Sequence, residues 1–229
     1  GGRYYWGSSE QWGVKGQNYA PEDWDAHKDR IFLSGKNWLS VMSYNLSIDY
    51  LKFPKFFDLS LMFNYPHEEC HEFDLQPSQD YYYNCYRERI FNKTSSSPFM
   101  IAKLYKGRRL SPPLWEAYQQ ISKVILSPFG YGEYGAPRDL LAVALGSILL
   151  KENLDFLETV PHIYVANETY IDLKNDFSDL EEKIEYCVVN FEELRPHLIE
   201  EMKKRYKAEY APGEFARYTA SLFHKIGVL

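Results

Sequence analysis

Hydrophobic residues are most continuous between Leu140 and Leu150, where only Gly146 and Ser147 interrupt the aliphatic side chains. Pro137 suits the first turn of a helix, and Asp139 in that turn suits the positive end of its dipole. The run predicts a helix that is apolar on nearly every face and therefore enclosed by protein. At 1.5 Å per residue it spans roughly 16 Å, about half a hydrocarbon core, so no transmembrane segment is expected. This buried helix is the expected hub of the chain.

Other patterns predict elements around it. Trp38, Val41, Met42, Leu46 and Leu51 recur at near-helical spacing within Asn37–Leu51. Phe56–Tyr65, Asp80–Asn92 and Phe99–Tyr105 are rich in aromatic or alternating residues and predict three strands of a small antiparallel sheet. Leu114, Tyr118, Ile121 and Ile125 share one face of an expected helix over Leu114–Leu126. Val160–Leu173 predicts a strand or short hairpin.

The remainder predicts helices. One starts near Ser178, with Glu181 completing a capping box, and another starts at Pro196. A last one starts at Pro212, with Phe215, Leu222, Phe223 and Ile226 inward and Gly227 as cap. The order, mixed first and helical last, predicts an α+β fold, its antiparallel sheet in the N-terminal half and its helices around the buried hub.

Residues 1–27 break this patterning. Gly1, Gly2, Gly7, Gly13 and Gly16 interrupt any periodicity, while Trp6, Trp12 and Trp24 supply contact area. This predicts an extended aromatic-rich arm (1–27) attached to a single globular domain (28–229). Composition sharpens that picture: aromatics reach 17%, with 20 tyrosines, and tyrosine is enriched where surfaces meet. Protein partners or a homo-oligomer follow as the expectation. The formal net charge of −6 and the lack of a dense basic block argue against a nucleic-acid partner. The 3 cysteines do not make a disulfide framework, although Cys70 and Cys85 could pair in an oxidising compartment. Sequons at Asn45, Asn92 and Asn167 matter only in a secreted protein, and nothing in the sequence assigns a compartment.

One motif carries candidate chemistry. Residues 67–71 read HEECH. On a helix, His67 and His71 at i and i+4 share a face and can bind one Zn²⁺, beside Glu68 as a base for metal-bound water. With Tyr134 and Asp139 downstream, the arrangement resembles the zincin superfamily, in particular the anthrax lethal factor-like peptidases. The resemblance implies His67, His71 and Asp139 as metal ligands, Glu68 as general base and Tyr134 as oxyanion donor. The alternative is a polar loop between Pro66 and Pro77, with Asp139 only a charge at a helix start.

Arg217 and His224, seven apart, resemble the pair in helical ribonucleases of the HEPN type. Tyr131–Gly135 lacks the Lys-Ser/Thr and the preceding strand of a phosphate loop. Ser95–Ser97 has no partnering His and Asp, and His162 reads as a core-edge histidine. The expectation is a non-catalytic interaction subunit that contacts partners through its arm and needs no cofactor. The alternative is a zinc metallopeptidase-like protein with a degenerate HExxH site.

Overall fold

A computed structural model of the chain describes residues 54–63, 87–104, 110–128, 137–155, 162–210 and 212–225. The arm (1–27), the expected helix Asn37–Leu51 and the HEECH motif lie outside them. Five strands run β1 (Phe57–Leu61), β2 (Ile101–Lys103), β3 (Ser122–Leu126), β4 (Ile148–Glu152) and β5 (Ile171–Leu173). They form one sheet in the order β2-β1-β3-β4-β5, and every neighbouring pair is parallel. Helices α1 (Pro112–Gln120), α2 (Pro137–Ala144), α3 (Leu180–Val189), α4 (Phe191–Tyr210) and α5 (Pro212–Lys225) complete the described elements, with a further helical stretch at 87–93.

The antiparallel α+β expectation is therefore corrected to an α/β fold. Two expected strands are in place, but they pair parallel, because the chain between them crosses over through the helical stretch 87–93. That stretch belongs to the segment Asp80–Asn92, which the alternation of tyrosines had predicted to be a strand. Parallel strands require such crossovers, and antiparallel neighbours do not.

The apolar hub is buried as expected, but it is not one helix. It is α2, a turn and β4. Gly146 at φ 68° turns the chain. Its N–H donates to the Val143 carbonyl at 3.2 Å, and the Ser147 N–H donates to the Ala142 carbonyl at 2.9 Å. These are the two bonds of a Schellman C-cap, for which glycine suits the left-handed position. Every residue of β4 is buried, since a parallel strand covered on both faces needs no polar side and reads as a continuous apolar run. The expected helix Leu114–Leu126 divides in the same way, into α1 and β3.

Helices cover both faces of the sheet. On one face Leu59, Leu61, Val124, Leu126, Ile148, Leu150, Ile171 and Leu173 pack with Ile90 and Phe91 and with Leu180, Ile184 and Cys187 of α3. On the other, Ile125 and Leu149 pack with Leu140 and Val143 of α2, and Met62 and Ala102 pack with Trp115 and Tyr118 of α1. The β1-to-β2 connection runs toward one edge with its helix on the first face. The connections through α1 and α2 run toward the other edge on the second face. Right-handed crossovers demand this reversal.

In α4, Leu198 joins the first cluster while Ile199 and Met202 join the second, so this helix spans from one face to the other. Pro196 lies inside α4 rather than starting it. The break comes earlier, at Asn190, whose side-chain amide donates to the Tyr186 carbonyl at 2.8 Å. Asp179, not Ser178, flanks the start of α3. Helix α5 starts at Pro212 as expected, but Phe223 is exposed rather than inward. Cys187 is a free, buried thiol; burial pushes it up to about 12, which makes it inert. Among the described residues no helix is long and apolar enough to cross a membrane.

Candidate functional site

Strands β1 and β3 are neighbours, yet the connections leaving their carboxyl ends run to opposite edges of the sheet. In open α/β sheets ligands bind outside the strand ends at such a reversal, so the residues at these two strand ends are the candidate site. Its β1 side is held by Trp115, whose indole N–H donates to the Met62 carbonyl at 2.6 Å. Beyond it Phe63 packs 5.2 Å from Phe91, ring centre to ring centre. The buried guanidinium of Arg87 lies over the same Phe63 ring at 5.3 Å.

The β3 side is a buried polar cluster. Ser127, the first residue after β3, donates its N–H to the Leu150 carbonyl at 2.9 Å and its hydroxyl to Asp139 Oδ1 at 2.5 Å. Tyr164 donates its hydroxyl to Asp139 Oδ2 at 2.9 Å. Lys151, near the end of β4, lies 3.4 Å from the same oxygen and donates to the Ser127 carbonyl at 3.1 Å. The side chains of Asp139 and Lys151 are both 0% exposed. A charge removed from water is tolerated only when paired and hydrogen-bonded, and these contacts meet that need.

Arg138 extends the cluster outward. Its Nε donates to the Ser127 hydroxyl at 3.3 Å and its Nη2 to the Pro128 carbonyl at 3.3 Å. Asp139 sits in the first turn of α2, so its charge also complements the helix dipole. The connection after β4 is anchored in turn: Tyr170 accepts the Leu154 N–H at 3.1 Å, and its ring meets Tyr164 edge-on at 6.2 Å.

Of the sequence-predicted site residues, the structure places Asp139, whose carboxylate engages Ser127, Tyr164 and Lys151. His67, Glu68, His71 and Tyr134 lie outside the described residues. In the chain, His67 to His71 follow β1 and Tyr134 lies between β3 and α2. Among the described residues no group of His, Cys, Asp or Glu is arranged to hold a metal ion. The Gly-rich segment around Tyr131–Gly135 does have a preceding strand, contrary to the sequence reading: it is β3. The Lys-Ser/Thr of a Walker loop remains absent from it.

Sequence reasoning missed Ser127, Arg138, Lys151 and Tyr164. The available signal was Lys151, a lysine closing an otherwise apolar run. Arg217 and His224 are both exposed on α5, with Arg217 paired to Glu214 one turn earlier. His162 is exposed rather than at a core edge.

The opposite, amino edge of the sheet carries a second polar feature. Lys55 donates from Nζ to the Gln120 carbonyl at 2.8 Å, the Leu145 carbonyl at 2.9 Å and the Ser147 hydroxyl at 2.9 Å. Gln120 ends α1 and Leu145 follows α2, so one side chain ties two helix C-termini together. Burial first, and the Arg195 guanidinium second, bring its amine down from 10.5 to about 7.

No match is found to a known protein family, a curated protein or a solved structure.

Proposed function

We propose that this chain binds a small phosphate-bearing ligand at the carboxyl ends of β1 and β3. The observation that carries this reading is the reversal of winding between those strands, whose connections leave toward opposite edges of an all-parallel sheet. Two further features support it. The first turn of α2 meets Ser127 at the end of β3, and a helix N-terminus favours an anion. Arg138, in the first turn of α2, supplies a guanidinium that can take phosphate oxygens in a fork. Isothermal titration of the full chain with inorganic pyrophosphate and with nucleoside diphosphates tests it. We expect saturable binding that Arg138→Ala weakens about tenfold, the effect of losing one charge-assisted contact. Binding unaffected by that change, or no binding at all, would refute the site.

A second reading, contact with a protein partner or a second copy through the aromatic arm, draws on exposed apolar side chains. Phe56 is 65% exposed, Met100 58% and Val189 73%, and covering such apolar area removes it from water at a gain of about 25 cal/mol per Å². Here we expect the solution mass of the full chain to exceed one copy and to fall to one copy once residues 1–27 are removed. Equal monomeric masses would sink this second reading.

A further inference from the structure

We infer that Tyr164 is a positioning residue of the proposed anion site, acting through Asp139 and Ser127 on Arg138. The inference rests on the reading of these strand ends as that site. Tyr164 is itself buried and belongs to the connection after β4, 25 residues from Asp139. Its hydroxyl donates to Asp139 Oδ2, while Ser127 donates to Oδ1 of the same carboxylate. The Ser127 oxygen then accepts from Arg138 Nε. The chain Tyr164–Asp139–Ser127–Arg138 is thus continuous. A carboxylate held on both oxygens cannot rotate, so the serine hydroxyl has one direction in which to donate. Its lone pairs are then left toward Arg138, which orients the guanidinium beside the end of β3. Lys151 closes the circuit by bonding the Ser127 carbonyl and pairing with Asp139.

Removing the Tyr164 hydroxyl takes one of the donors from Asp139 Oδ2, leaving the Lys151 ion pair there, without emptying space in the core. The arrangement predicts a loss of affinity that exists only while Arg138 is present. The test is a double-substitution cycle on the full chain, read by pyrophosphate titration. Tyr164→Phe is expected to weaken binding about fivefold in the wild-type background and less than about twofold in the Arg138→Ala background, the signature of coupled residues. Ser127→Ala, measured the same way, serves as the second variant should Tyr164→Phe unfold, and is expected to couple to Arg138 likewise. An additive cycle, or Tyr164→Phe binding at wild-type strength, overturns the inference while leaving the site in place. A wild-type chain that binds no pyrophosphate overturns the site and this inference with it.

Discussion

Replacing Asp139 by alanine is expected to lower the unfolding free energy by about 3–5 kcal/mol. The carboxylate has no access to water, and its loss removes a negative charge that lies 3.4 Å from the fully buried Lys151 ammonium. It also strands the hydroxyl donors of Ser127 and Tyr164. The whole stability of a domain is about 5–15 kcal/mol, so this single change approaches the threshold for folding. Lys151→Met should cost a similar amount, for the mirror-image reason. The double variant Asp139→Leu/Lys151→Met should recover most of the loss, because an apolar pair of similar volume replaces two desolvated charges. Urea unfolding of the three variants at one pH decides it; equal losses that simply add would show that the pair is not coupled. The same Asp139→Ala protein also bears on the zinc reading. If Asp139 ligated a metal, the change would remove bound zinc from the purified protein rather than chiefly its folding energy.

Stability should rise with pH between about 7 and 9, and Lys55 should be the cause. Its amine titrates near 7 in the fold, against 10.5 for the ordinary side chain. Between those values the unfolded chain holds a proton that the folded chain has released, so unfolding becomes harder as pH rises. The slope approaches about 1.4 kcal/mol per pH unit, which makes about 2–3 kcal/mol between pH 7 and pH 9. Above that window Cys187 acts in the opposite sense. Burial raises its thiol from 9.0 to about 12, so the unfolded thiol loses its proton first and offsets the rise from Lys55, which ends at 10.5. The measurement is denaturant unfolding at pH 6, 7, 8 and 9 for the wild type and Lys55→Met. The variant should lose the rise. A wild-type curve that is flat or falling over this range, or a Lys55→Met curve with the same slope, would refute the assignment.

The candidate site was legible only in fragments. Asp139 stood out as a charge at the head of an apolar run, and that placement holds: it lies in the first turn of α2 and is buried. Its partners could not be read. Ser127 is 12 residues from it and Tyr164 is 25, and no local pattern joins residues at such distances. Nothing in the sequence separates Arg138 from any other charge in a first turn. Lys55 reads as a loop residue after a proline, yet its acceptors at Gln120 and Ser147 lie 65 and 92 residues away. Side-chain chemistry was visible, but its convergence depended on which strands became neighbours.

By itself the sequence determined where the chain buries itself. It marked the apolar segments that became β1, β2 and the α2–β4 hub, and it marked the starts at Pro137 and Pro212. Burial follows from composition, because apolar side chains leave water whatever structure they adopt. The sequence did not determine the secondary structure of those segments, since a buried strand and a buried helix both read as continuous apolar runs. Only the tertiary structure decided that Ile148–Glu152 is a strand, that the strands run parallel, and that Lys151 meets Asp139. Those outcomes depend on pairing between segments far apart in the chain, and the energy of such pairing is not written in any one of them.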